Sequence, residues 1–412
     1  MDRMQLSIKK QTLPNGLKLV VNEDTYSTMV AAAIIYYAGS RTEEEGNTGI
    51  SHILEHMMFK GTEKMAPEDY SKVIQKMGGY DNAYTSKDYT AFYAYLPISG
   101  LETFISMEAD RMVNLKIRDF DEEMEIIKDE RRYTTLDNPV EFFMEKFWLN
   151  LFQTHPYRFP VVGFMEDLEK MTLEKVLGYY NAFYTPANAM IAVAGNVAFE
   201  EVLDLVFRYF GNISKNGNPK KDIPVEPEQK EKRFFKLKKK NVSPIVAIGF
   251  KTIPFGHESM YAFDLLSEVL CGGKWGILVK ELVYEQNLFT SLNCESSYLR
   301  DHGLFSIIGL PAPGQNIFRA AEILEKKLRN SENRIEEEML YTAKNKLLTE
   351  FYFNMESVRD VVFELAEFEL SAKAEDVLRY PEGIRRVTID EIRSLIGTHF
   401  TEEKETLGVL HG

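Results

Sequence analysis

Hydrophobic and polar residues follow two rhythms along this chain. Leu17-Lys18-Leu19-Val20-Val21, placed after the turn pair Asn15-Gly16, reads as a strand, and Met29 to Tyr37 is an apolar run that fits a buried strand. Tyr89 to Leu96, rich in Thr, Phe and Tyr, and Met190 to Ala194 read as two more. Helical spacing fills residues 49–60, 67–77 (opened by Pro67), 99–114 and 120–136. Strands grouped around helices in this order predict an α+β fold, a mainly antiparallel sheet with helices packed on one face.

The same order returns in the second half. Leu96-Pro97 closes one strand-like run and Leu310-Pro311 closes another. Thr172 opens the helical pattern Thr172-Leu173-Glu174-Lys175-Val176-Leu177, and Thr388 opens Thr388-Ile389-Asp390-Glu391-Ile392 with Glu391 placed for a capping box. Tyr184-Thr185 corresponds to Phe400-Thr401, the apolar run at Ile191 to that at Leu407, and Glu123-Met124 to Glu338-Met339. An offset of about 215 residues is too long for a solenoid repeat and fits a duplicated domain. Ser214-Lys215-Asn216-Gly217-Asn218-Pro219, continuing through Pro224 and Pro227, is a polar, proline-containing linker. The expected organisation is two tandem homologous domains, 1–212 and 233–412, joined at 213–232.

Composition narrows the class. At 412 residues the chain exceeds one ordinary core, and 44% hydrophobic with 27% charged residues is the balance of a soluble globular protein. No apolar run is long enough to span a bilayer. Met1-Asp2-Arg3-Met4-Gln5-Leu6 leads into strand-like sequence without a signal-peptide core or an Arg/Ser-rich transit segment. The formal charge of −14 serves solubility and also suits a cavity that attracts basic peptides. Lys236-Leu237-Lys238-Lys239-Lys240 is too short a basic cluster for nucleic acid and reads as a solvated strand edge. Cys271 and Cys294 lack zinc-site spacing and read as buried thiols of a reducing compartment. The expected location is therefore the cytoplasm, with the mitochondrial matrix after presequence removal and the periplasm as alternatives.

The chemistry is concentrated at His52-Ile53-Leu54-Glu55-His56. On a helix, imidazoles at i and i+4 stack on one face, where one zinc ion takes both nitrogens at about 2.0–2.1 Å. Glu55 shares that face and reaches a water beside the metal. With only seven histidines in the chain, chance produces this pattern on the order of once in a hundred such sequences. The duplicated half supplies a control: His52 falls on Asp264, Glu55 on Ser267 and His56 on Glu268. The fold signal persists there and the ligand types do not, which favours a metal role over a packing role for the two histidines.

A catalytic zinc has three protein ligands and one open position, so a third ligand is needed from another element. The acidic helix Asp121-Glu122-Glu123-Met124-Glu125-Ile126-Ile127-Lys128-Asp129-Glu130 offers several carboxylates. Glu123 and Glu130 lie seven apart on one face, and Glu130 falls on Asn345 in the second copy. A row of acids on a helix is more commonly a solvated face, so spacing alone leaves the choice among them open.

His52-x-x-Glu55-His56 followed by a Glu-rich helix is the inverzincin arrangement. Gly49-Ile50-Ser51-His52, Phe59-Lys60-Gly61-Thr62, Gly78-Gly79-Tyr80-Asp81-Asn82-Ala83-Tyr84-Thr85 and Tyr184-Thr185-Pro186-Ala187-Asn188 stand around it. Together they resemble the pitrilysin/insulinase family of zinc metallopeptidases, in particular its short members akin to mitochondrial processing peptidase and its bacterial relatives, over essentially the whole chain. The resemblance implies that His52, His56 and Glu130 hold one zinc per chain, that Glu55 is the catalytic base, and that Glu123 is the carboxylate supporting a ligand. It also implies that Asn82 and Ala83 lie beside substrate, where an extended peptide adds to a sheet edge. Two such two-domain halves are expected to close like a clamshell around a peptide.

One departure stands out. Many members carry an Arg and a Tyr seven residues apart in the second domain, contacting substrate and the tetrahedral intermediate. The matching segment here is Glu281 to Ser291, with Val283 at the Arg place and Thr290 at the Tyr place, so no donor remains for an oxyanion. The expectation is a metal-bearing subunit of a heterodimer whose related partner supplies that pair. A homodimeric peptidase and a non-catalytic scaffold subunit of a larger complex are the alternatives, and a purely structural zinc is disfavoured by Glu55 and the open coordination position.

Overall fold

Two mixed but mainly antiparallel sheets carry the strands of this computed structural model, which describes residues 6–214 and 222–412. In the first half follow β1 (Ile8–Thr12), β2 (Lys18–Glu23), β3 (Met29–Tyr36), α1 (Ile50–Met58), α2 (Asp69–Lys76), β4 (Tyr80–Thr85), β5 (Thr90–Pro97), α3 (Leu101–Asn114), α4 (Phe120–Arg131), α5 (Pro139–Leu151), α6 (Met165–Leu168), α7 (Leu173–Phe183), β6 (Ala189–Gly195) and α8 (Phe199–Phe210). In the second half follow β7 (Arg233–Lys238), β8 (Ile245–Thr252), α9 (Met260–Cys271), β9 (Phe289–Tyr298), β10 (Gly303–Pro311), α10 (Ile317–Arg329), α11 (Glu337–Asn354), α12 (Val358–Ser371), α13 (Tyr380–Arg386), α14 (Ile389–His399) and β11 (Glu405–His411).

The first sheet has the order β1-β2-β6-β3-β5-β4 and the second β7-β11-β8-β10-β9. Without the added β1 hairpin the two orders coincide, down to the parallel pairs β2/β6 and β7/β11. The duplicated pattern of the sequence is thus a duplicated α+β topology. In the first sheet β3 and β6 are buried along nearly their whole length, which accounts for their unbroken apolar runs. β4 is an edge strand, paired only with β5 among the described strands.

Each copy lends one helix to the other's sheet. One compact unit comprises residues up to Arg132, 159–224 and 352–378; the other comprises 133–158, 225–351 and 379–412. Within the first, α12 packs on β2, β3 and β6. Within the second, Phe143, Phe147 and Leu151 of α5 pack against Ile245, Ala247, Leu304 and Leu410, while Val246, Ile248 and Phe250 face the main helical core. To helices on one face the structure therefore adds a single helix on the other, and packing units interleave where sequence alone suggested one cut. Residues 215–221 of the proposed linker, and the start of the chain through Gln5, lie outside the described residues.

Local differences have local causes. Pro67 does not open α2, because Glu68 takes a left-handed conformation (φ 64°) and the helix begins at Asp69. The helix expected over 120–136 runs as α4 and ends in a π turn over Arg132–Leu136. Cys271 and Cys294 are joined as a disulfide, correcting the reading of two separate thiols. The end of α9 packs on β9, which brings positions 23 apart in sequence to a Cα separation of 5.4 Å. With the cysteines joined, the thiol argument for a reducing compartment no longer holds. Among the described residues no helix is long and apolar enough to cross a membrane.

Candidate metal centre

The geometry of the centre begins at the start of α1. Gly49 precedes the helix at φ 84°, and a Cβ there would run into the Val162 carbonyl and Gly163. The first helical N–H groups have no partner inside the helix. Glu43, almost fully buried, supplies one: its carboxylate accepts from the N–H of Gly49 at 2.7 Å and of Ser51 at 3.0 Å. Its negative charge also suits the positive end of the helix dipole. Thr48 donates to Asp167 at 2.6 Å, and the Ser51 hydroxyl lies 2.8 Å from the Tyr179 hydroxyl. These contacts fix the helix that carries the pentapeptide.

His52 and His56 then stand one turn apart on one face, ring centroids 4.7 Å from each other. Glu130, on α4 packed against α1, faces both: His52 Nε2 is 3.6 Å from Oε1 and His56 Nε2 is 3.4 Å from Oε2. One donor atom from each residue lies within 4.8 Å of the others, and among the described residues this is the only such group. Two nitrogens facing one carboxylate at this spacing fit a tetrahedral zinc, whose ligands at about 2.0–2.2 Å stand roughly 3.4 Å from one another.

Glu123, at 7% exposure, completes the arrangement from α4. Its Oε1 is 2.8 Å from His56 Nδ1, and Lys60 pairs with its other oxygen. An ionised carboxylate only accepts, so Nδ1 keeps its proton and Nε2 is the nitrogen that loses one to receive a metal. The His56 bond and then Lys60 hold the Glu123 carboxyl below its usual range. Burial favours a neutral His56, but its bonds to Glu123 and Glu130 outweigh this and raise it to about 9. Burial, reinforced by His56, pushes His52 down to about 4.

The Glu55 carboxylate lies near His56 and Glu130 and meets Thr85 of β4. Burial raises its carboxyl above the usual range, opposed by the Thr85 hydroxyl, which donates to Oε2 at 2.6 Å. Asn82 and Ala83 sit on edge strand β4, in register with Tyr93 and Phe92 of β5. A pocket of about 540 Å³ beside the centre is lined by Glu55, His56, Phe59, Lys60, Lys72 and Glu123, among others.

The structure thus brings His52, His56, Glu130, Glu123 and Glu55 together. Sequence reasoning assigned no role to Glu43, Lys60 or Thr85. Lys60 and Thr85 stand inside quoted motifs, but nothing in their spacing reveals which carboxylate each meets. In the second unit, Asp264 accepts from Tyr298 at 2.7 Å and Tyr380 at 2.8 Å, and both oxygens of Glu268 bind Lys346 at 2.8 Å. The counterpart of the histidine site is closed by hydroxyls and an ammonium. Val283 packs half-buried against the second core, and the exposed Thr290 donates to its neighbour Leu310 at 3.1 Å, so neither presents a cation or phenol.

Comparison with known proteins gives the family. The family described as "Insulinase (Peptidase family M16)" matches residues 18–160, and "Peptidase M16 inactive domain" matches 170–347. The zinc protease PqqE of Helicobacter pylori is 28% identical, the match covering 96% of this chain and 90% of that protein. The uncharacterized zinc protease YmxG of Bacillus subtilis is 25% identical over 96% of each. A crystal structure of a protease from Helicobacter pylori superposes with a TM-score of 0.92 at 26% identity, covering 99% of this chain and 100% of that one. A mainly antiparallel sheet repeated in tandem, with an inverzincin pentapeptide on the first copy alone, therefore has its explanation in descent: the chain belongs to the pitrilysin/insulinase-type M16 peptidase family.

Proposed function

We propose that this protein is a zinc-dependent endopeptidase acting on peptides or unfolded segments, with His52, His56 and Glu130 as the ligands of one zinc per chain. The observation that carries the reading is the pair of Nε2 atoms facing one carboxylate at 3.6 and 3.4 Å. The names of the H. pylori and B. subtilis relatives, both zinc proteases, agree with it. Zinc bound there supplies Lewis acidity toward a carbonyl and lowers the pKa of water. Glu55 takes the proton of the attacking water and returns it to the leaving amine. Its raised carboxyl pKa brings it nearer the range in which both transfers work. Glu123 holds His56 in the ligating tautomer. An extended peptide lies along β4, where Asn82 and Ala83 offer edge backbone and an amide side chain.

The chain acts as the metal-bearing subunit of a heterodimer, closed like a clamshell around its substrate. A related partner supplies the cation and phenol that Val283 and Thr290 lack; a homodimer is the alternative. The blank positions also favour a second reading, a non-catalytic scaffold subunit, to which the match with the inactive-domain description lends weight. Elemental analysis and native mass of the protein purified from its source separate these readings. The peptidase reading expects one zinc, chelator-sensitive cleavage and a second chain of similar size; a zinc-free, inert complex supports the scaffold.

A further inference from the structure

We propose that Thr85 is a positioning residue that sets the cleavage register, by fixing Glu55 to the same strand that receives the peptide. This rests on the peptidase reading above and concerns how the base and substrate are aligned.

The backbone parity of β4 is the starting point. Ser86 N–H donates to Tyr89 carbonyl at 2.8 Å, so position 86 is hydrogen-bonded toward β5. Antiparallel ladders alternate, so the N–H groups of Ala83 and Thr85 point away from β5, to the open edge. The side chain of Asn82 accepts from the Ala83 N–H at 2.9 Å, in line with that outward direction. Ala83 and Thr85 are therefore the successive edge donors that an added strand meets.

The first of these donors is held only by the exposed side chain of Asn82, which a peptide carbonyl can replace, whereas the second is held by the base. The Thr85 hydroxyl donates to Glu55 Oε2 at 2.6 Å, and its backbone N–H faces the same carboxylate. Thr90 lies 3.2 Å from Thr85 Oγ1 but directs its own proton to the Ala38 carbonyl at 2.8 Å. An ionised carboxylate cannot donate, so the single Thr85 hydroxyl proton goes to Glu55. Glu55 thereby occupies the edge position next after Ala83. One two-residue repeat along a strand is about 6.8 Å. A peptide bonded to Ala83 must leave the ladder within that distance, and there it meets the base. Strand and base share one reference frame, so the scissile bond is chosen by its distance from the residue bonded to Ala83.

The test uses the assembly as purified from its source, with Thr85→Val (same shape, no donor) and Thr85→Ser (donor retained). Cleavage sites on an unstructured peptide are mapped by mass spectrometry, kcat and KM are measured, and zinc content and peptide binding to chelator-treated protein are recorded. The expected result for Thr85→Val is a kcat lowered by roughly 10- to 100-fold, a loss in the range of general acid–base effects. KM, zinc content and peptide binding stay unchanged, and additional cuts appear at neighbouring bonds. Thr85→Ser restores both rate and site. Wild-type rate and a single unchanged cut in Thr85→Val overturn the inference. So does an equal loss in both variants accompanied by zinc loss, which marks a structural role. A wild-type assembly that holds no zinc and cuts nothing overturns the peptidase reading itself.

Discussion

Glu123 Oε1 stands 2.8 Å from His56 Nδ1, while Lys60 holds the other oxygen of the same carboxylate. The relationship couples a candidate ligand, His56, through Glu123 to the cation of Lys60. Partners of this kind typically change metal affinity by about 10- to 100-fold. Glu123→Gln and Lys60→Met are each expected to weaken zinc binding by that order in competition with a chromogenic chelator, with Lys60→Arg close to wild type. Unchanged affinity in both would remove Glu123 and Lys60 from the metal centre.

Zinc uptake should release a proton. With His56 raised to about 9 and His52 lowered to about 4, a metal-stripped protein at pH 7 carries its exchangeable proton on His56. Zinc must displace it, so apparent affinity rises with pH until about 9 and falls roughly tenfold per unit below. Calorimetry in buffers of differing ionisation enthalpy is expected to give about one proton per zinc near pH 7; none released contradicts the assignment.

The closed counterpart in the second unit carries a stability signature. Burial, partly offset by the Tyr298 and Tyr380 hydroxyls, raises Asp264 from 3.8 to about 6. Between those values the folded chain keeps a proton that the unfolded chain has lost. Stability therefore falls as pH rises through this window, by up to about 3 kcal/mol in total. Asp264→Asn should flatten this slope in urea titrations at pH 4 to 7, and an unaltered slope would assign it to other groups.

Glu43 is predicted to govern α1. Removing its carboxylate leaves the Gly49 and Ser51 N–H groups buried and unpaired, at a cost of roughly 1–3 kcal/mol. Glu43→Ala should lower the midpoint of chemical denaturation accordingly and loosen zinc binding, because His52 follows Ser51 directly. A midpoint equal to wild type would show that Thr48 and Gly49 hold the helix alone.

Four strands of the first sheet, the duplication and the helix of the pentapeptide were legible because each rests on periodicity or on motifs repeated at a fixed offset. β4 was not read as a strand: Tyr80-Asp81-Asn82-Ala83-Tyr84-Thr85 is an exposed edge with polar residues on both faces, so alternation gives no signal. The exchange of α5 and α12 between sheets was hidden for another reason, since an apolar helix face does not name the sheet it covers. Glu130 could be selected only by resemblance; a row of acids on a helix looks alike until α4 packs on α1 and turns one of them toward two histidines. The disulfide depended on α9 meeting β9, a tertiary contact that cysteine spacing does not encode.

The peptidase reading turns on Glu55, so the most direct measurement pairs zinc content with peptide cleavage in wild type and Glu55→Gln, each in the assembly purified from its source. Wild type is expected to hold one zinc per chain and cleave an unstructured peptide in a chelator-sensitive manner, and Glu55→Gln to keep the zinc and lose cleavage. Cleavage by Glu55→Gln at the wild-type rate, or a wild type without zinc, contradicts it.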